Sequence, residues 1–224
     1  MTAQNTATKN LTEIAFILDQ SGSMDSIKAG TLEGVNAFLE QQKRENATYP
    51  VRFSLTLFST SIEIRNTSVS VTEVPALTEE NYQPNGGTAL LDAIGLTIDS
   101  LGKRLAETPE AERPGKVIVA IMTDGEENSS RQFTWTQISE KIKHQSEVYK
   151  WEFLFLGANQ DAIATAARMN IDHRDSTTYF QRDGSSKKAL FAMSRSVSAK
   201  KARLAEKPLT ELYAKEEAKD QSKQ

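Results

Sequence analysis

The stretch Ile14-Ala15-Phe16-Ile17-Leu18-Asp19-Gln20-Ser21-Gly22-Ser23 decides how this chain reads. Its first five residues are apolar without a break. That is the pattern of a short strand covered on both faces, as in a parallel sheet flanked by helices. An acidic, hydroxyl-rich loop follows at once. A helical pattern comes next: Ile27, Leu32, Val35, Phe38 and Leu39 recur near 3.6-residue spacing, while Lys28, Glu33, Glu40 and Lys43 fill the opposite face.

The same alternation continues outward. Residues 51–59 read as a strand, with Phe53, Leu55 and Leu57 alternating with Ser54 and Thr56. Residues 61–65 return antiparallel, because the link through Thr60 is too short for a crossover helix. Residues 66–87 read as irregular, with Asn85-Gly86-Gly87 a tight turn. A helix is expected over 88–107, carried by Leu90, Leu91, Ile94, Ile98, Leu101 and Leu105. A second unbroken apolar strand, 116–122, runs into Thr123-Asp124-Gly125. Residues 134–148 read as a helix and 151–156 as a third buried strand. A short Ala-rich helix over 161–169 has Asp161 placed to cap its start. Strands alternating with helices require right-handed crossovers. The expected fold is α/β: a three-layer, Rossmann-like, doubly wound and mostly parallel sheet with one antiparallel edge strand.

Composition narrows the function classes. A chain of 224 residues with 38% hydrophobic and 25% charged residues suits one α/β domain with tails. A net charge of -3 gives no drive toward nucleic acid or an anionic membrane. There is no cysteine, so a disulfide framework, a thiolate metal site and a cysteine nucleophile are excluded. The polar start, with no apolar core of a signal peptide, and the lack of disulfides point to a cytoplasmic protein. We expect residues 1–10 as a disordered tail and 11–180 as the domain. Residues 181–207, with eight Lys/Arg against two Asp/Glu, read as a basic helical extension with Ala189, Leu190, Met193 and Val197 as its apolar stripe. Residues 208–224 read as a charged, flexible tail that frays.

In a doubly wound sheet, ligands bind beyond the carboxyl ends of the strands. Three segments lie there: Asp19-Gln20-Ser21-Gly22-Ser23, Gly86-Gly87-Thr88 and Thr123-Asp124-Gly125. Alternate residues of an extended Asp-x-Ser-x-Ser loop aim the same way, and Gly22 relieves the path. Thr88 adds a hydroxyl and Asp124 a second carboxylate. This oxygen set suits a small hard cation, Mg²⁺ first and Mn²⁺ or Ca²⁺ as alternatives. With only two anionic ligands the metal stays electrophilic and can accept an outside carboxylate. Each segment alone reads as a turn or a helix cap, with Ser23, Asp25 or Ser26 capping one helix and Thr88 the next. Together, each following the right element, they point to one metal site of Asp19, Ser21, Ser23, Thr88 and Asp124.

At these residues the chain resembles the von Willebrand factor A domain family and its metal-ion-dependent adhesion site, over about residues 11–180. The resemblance implies a Rossmann-like fold and metal-dependent binding of a partner protein through an Asp or Glu carboxylate, without catalysis. It is closest to small intracellular bacterial or phage members, including those of tellurium-resistance type, some of which work in stress responses or beside ATPases. From charge and the lack of a long apolar run we expect no nucleic acid and no membrane, and we expect a monomer or weak oligomer. The competing class is a metal-dependent hydrolase such as a phosphoesterase. Against it, the sequence has no Asp-x-Asp pair, no phosphate-cradling loop and no Gly-x-Ser-x-Gly elbow. His144 and His173 read as surface residues, Glu126 and Glu127 as a solvated loop. Met24 reads equally as an apolar contact beside the metal or as core packing.

Overall fold

A computed structural model describes residues 10–158, 162–182 and 184–221. Residues 1–9 of the expected tail and the Asp161 cap lie outside them. Six strands form one sheet in the order β3-β2-β1-β4-β5-β6. They are β1 (Thr12–Asp19), β2 (Val51–Phe58), β3 (Ile62–Ser70), β4 (Lys116–Thr123), β5 (Glu152–Ala158) and β6 (Ser176–Tyr179). Only β3 runs antiparallel, on β2; every other pairing is parallel. The helices are α1 (Lys28–Glu45), α2 (Leu90–Glu107), α3 (Trp135–Tyr149), α4 (Ala162–Arg168), α5 (Ser185–Ala202) and α6 (Leu209–Gln221).

Period-two alternation along β1 divides the core. Ile14, Phe16 and Leu18 face α1, α5 and α6, where Phe38, Leu39, Leu190, Met193 and Leu209 bury. Ala15 and Ile17 face α2, α3 and α4, with Ile94, Ile98, Ile138 and Ala166. Both faces are dry, so β1 has to read as one apolar run. The central strands therefore match the sequence reading.

The margins differ from it. Strand β3 continues to Ser70, through residues that read as irregular. It is a polar edge strand: Ser54 and Ser68 hydroxyls and the Arg104 guanidinium, 2.9 Å away, satisfy the fully buried Glu13 beneath it. Strand β6, four residues of Ser-Thr-Thr-Tyr, was not anticipated, because its packing lies in its neighbours rather than in its own hydrophobicity. Met24 is core packing, fully buried.

The C-terminal helices pack on the domain. Helix α5, expected as an extension, lies directly on α1. A Cβ built on Gly34 would come 2.6 Å from Leu190 Cδ1, so the helices touch backbone to side chain at that point. Lys200 and Lys201, read as part of a basic stretch, are buried in ion pairs: Lys200 with Glu152, Asp175 and Glu206, Lys201 with Glu45. Within the stretch expected as a tail, α6 buries Leu209, Leu212 and Tyr213.

Candidate divalent-metal centre

β1 and β4 are neighbours in register, Leu18 opposite Met122, so their carboxyl ends deliver Asp19 and Asp124 to the same rim. The loop after β1 is fastened at both sides. Gln20 N–H donates to Phe58 O at 2.6 Å and Gly22 N–H to Gly86 O at 3.0 Å, while Asn85 N–H donates to Gln20 O at 2.9 Å. Gly86 reaches this position with φ of +70°, in the region that favours glycine. Buried Tyr82 completes the fastening, its hydroxyl donating to Asp19 O at 2.6 Å. Thr88 is held from the other side, its N–H donating to Asn128 Oδ1 at 2.8 Å and its carbonyl accepting from Asn128 and Ser129 N–H.

The side chains then meet. Ser21 Oγ and Ser23 Oγ lie 3.1 Å apart, and Ser23 Oγ donates to Asp124 Oδ1 at 2.6 Å. Asp19 Oδ1 accepts from Ser21 N–H at 2.6 Å, and Asp19 Oδ2 accepts from Thr123 Oγ1 at 2.5 Å. Thr88 Oγ1 and Ser23 Oγ both flank Gly125: a Cβ built there would sit 2.8 Å from the first and 3.4 Å from the second. None of the hydroxyls is spent on a helix cap. No side-chain cap closes the short helical turn Gly22–Ile27, α1 or α2, whose N-cap is Ala89.

Asp19 and Asp124 are nearly or fully buried. Among the described residues neither has a Lys or Arg ion pair. Burial pushes Asp19 up to about 6, against the hydrogen bonds of Thr123 and Ser21, and the Asp124 charge adds to the rise. Burial also raises Asp124, which Ser23 and Gln181 hold back. A buried carboxylate requires a counter-charge or a proton. A divalent cation would supply the counter-charge, and an all-oxygen set of two carboxylates and three hydroxyls suits a hard ion. Among the described residues no group of three or more His, Cys, Asp or Glu side chains is placed to hold a metal ion.

Four contributors escaped the sequence reading. Thr123 stands in the sequence only as part of a turn, yet its hydroxyl holds Asp19. Glu127, expected to be solvated, accepts from Leu91 N–H at 3.0 Å and from Ser129 and Ser130 N–H, tying the β4–α3 loop to the start of α2. Tyr82 carried no motif. Gln181, in the loop between β6 and α5, donates to Asp124 Oδ2 at 2.8 Å, and nothing in its sequence context announced it.

Solved structures share this fold. The vWF domain of a type V pili tip protein from Porphyromonas gingivalis superposes with a TM-score of 0.58 at 10% identity, over 84% of this chain and 95% of that one. A von Willebrand factor type A protein from Catenulispora acidiphila gives 0.54 at 16% identity, over 85% and 42%. The fold is that of a von Willebrand factor A domain. Proximal thread matrix protein 1 of the mussel byssus gives 0.55 at 16% identity, over 84% and 44%. The chain thus spans less than half the length of that protein and of the Catenulispora one. No family model matches the sequence, and no curated protein sequence matches it significantly. At these identities the likeness of the A domains lies in the fold alone. Among the described residues, no helix is long and apolar enough to cross a membrane.

Proposed function

We propose that this protein is a non-catalytic binding module that takes up a divalent cation, Mg²⁺ first and Mn²⁺ or Ca²⁺ as alternatives, through Asp19, Ser21, Ser23, Thr88 and Asp124. The cation would supply an electrophilic centre for an Asp or Glu carboxylate of a partner protein. The observation that carries the reading is the joining of three rim segments by hydrogen bonds around two buried carboxylates that, among the described residues, have no cationic side chain as partner. With two anionic ligands, a bound dication keeps an attraction for one more anion. Adhesion and pilus proteins among the structural neighbours support a role in protein–protein contact. The sequence resemblance to tellurium-resistance-type members extends the proposal to a cytoplasmic bacterial stress-response or ATPase-associated assembly.

The test is direct. Calorimetric titration with Mn²⁺ should show one site, absent in Asp19→Ala. Water-proton relaxation of the Mn²⁺-loaded protein should fall when a glutamate-rich peptide is added, as a carboxylate displaces bound water. No cation uptake at millimolar Mg²⁺ or Mn²⁺ would overturn the proposal. So would robust phosphoester turnover abolished by Asp124→Ala.

A further inference from the structure

Each of the four carboxylate oxygens at the rim already carries one protein hydrogen. Asp19 Oδ1 holds Ser21 N–H and Oδ2 holds the Thr123 hydroxyl; Asp124 Oδ1 holds the Ser23 hydroxyl and Oδ2 holds the Gln181 amide. The first three donors come from the segments that build the centre. The fourth arrives from the loop between β6 and α5, on the other side of the β4 end. Its nitrogen lies 2.8 Å from Asp124 Oδ2, with Ser26 Oγ at 3.4 Å and Ser23 O at 3.5 Å. The amide is thus seated between Asp124 and the Asp-x-Ser-x-Ser loop, and it can donate but carries no charge.

That seating bears on which cation fits. Mg²⁺ and Mn²⁺ take six ligands in a tight octahedron, for which one oxygen per carboxylate suffices. Ca²⁺ takes six to eight oxygens at longer distance and gains most from carboxylates that offer both oxygens. A carboxylate whose oxygens are each engaged by a fixed donor is poorly placed to turn both toward one ion. For Asp19 the restraint is part of the strand ends and the loop backbone. For Asp124 it depends on a single side chain from elsewhere.

We propose that Gln181 sets the cation selectivity of the centre: by holding Asp124 Oδ2 it keeps this carboxylate to one oxygen per cation and so favours Mg²⁺ and Mn²⁺ over Ca²⁺. The proposal rests on the cation site described above. It makes Gln181 a positioning residue, one that acts through Asp124. It also accounts for a glutamine at this place rather than a glutamate. A third carboxylate beside Asp124 would raise the charge and the number of oxygens, both of which favour Ca²⁺ and would weaken the pull on a partner's carboxylate.

The experiment is a calorimetric titration of the full chain with Mg²⁺, Mn²⁺ and Ca²⁺, for wild type, Gln181→Met and Gln181→Glu. Thermal melts in EDTA check that all three fold. Wild type should prefer Mg²⁺ to Ca²⁺. Gln181→Met keeps the length and removes the donor. It should lower the preference about tenfold, the weight of one hydrogen bond to a charged group. Gln181→Glu should bind Ca²⁺ more tightly than wild type does. An unchanged Mg²⁺-to-Ca²⁺ ratio in Gln181→Met would overturn the proposal while leaving the cation site intact. A wild type that binds none of the three ions would instead remove the site on which the proposal stands.

Discussion

Replacing Asp19 with asparagine separates what this carboxylate does for the cation from what it does to the fold. Asp19 is fully buried, and its pKa is pushed from 3.8 to about 6. The folded state therefore holds a proton that the unfolded chain has released. The associated stability is complete below pH ~4 and is lost as pH rises through about 6. At pH 7 without metal, keeping the ionised group in place costs the fold ~3 kcal/mol. Asparagine preserves the hydrogen bonds. Its Oδ1 accepts from Ser21 N–H, and its Nδ2 donates to Thr123 Oγ1, whose own proton turns to Gly125 O, 3.2 Å away. In EDTA at pH 7, Asp19→Asn should thus be more stable than wild type by ~1 to ~3 kcal/mol, the lower figure allowing for weaker amide hydrogen bonds. The gap should close by pH ~4, where both side chains are neutral. Saturating Mg²⁺ should reverse the ranking, because only wild type gains: about 4.1 kcal/mol at a thousandfold excess over Kd. Urea unfolding at pH 4 and pH 7, with EDTA or Mg²⁺, measures all of this. A variant less stable than wild type in EDTA at pH 7, or a gap indifferent to acid, would refute the reasoning.

Other perturbations probe other parts of the molecule. Ser23→Ala should abolish Mn²⁺ binding by calorimetry while lowering stability in EDTA by ~1.5 kcal/mol, the worth of its bond to the Asp124 carboxylate at a partly exposed position. Gly34→Val should cost ~1 to ~3 kcal/mol in urea unfolding through collision with Leu190, and Leu190→Ala in the same chain should recover part of that loss. Lys200→Met leaves Glu152, Asp175 and Glu206 without their shared cation and should cost ~3 kcal/mol at pH 7. Truncation before Leu209 exposes the faces that bury Leu209, Leu212 and Tyr213, and should lower the thermal midpoint by several degrees.

What the sequence reveals here follows from where each element's packing is recorded. β1, β4 and β5 are buried on both faces, so their own residues must be apolar, and each stood out as a run. The rim segments were legible for a related reason. Asp19, Ser21, Ser23 and Asp124 come at or just after the ends of strands, and Thr88 just before a helix, that were themselves easy to find, so their position at the sheet's carboxyl end came from the fold class. β3 and β6 were missed in whole or part, because an edge strand is stabilised by its neighbour's backbone and needs little hydrophobicity of its own. The basic C-terminal stretch misled in the opposite direction. Charge density suggested a solvated surface, yet Lys200 and Lys201 point inward to carboxylates supplied by β5, α1 and two loops. A local charge count sees only half of each such pair.

Gln181 marks the boundary of this kind of reading. It stands 57 residues from Asp124, in the loop after a strand that sequence periodicity did not mark, and an amide beside a carboxylate follows no spacing rule. Yet it donates to one of the two carboxylates that define the centre, from outside the three segments that carry the motif. Motif residues fix that oxygens converge. The number of carboxylate oxygens still free to meet an ion depends on every donor around them, including those brought by topology alone. Which oxygens converge at this rim is therefore readable from sequence, while the proposed cation selectivity would belong to the folded arrangement, and Gln181 is where the two can be separated by substitution.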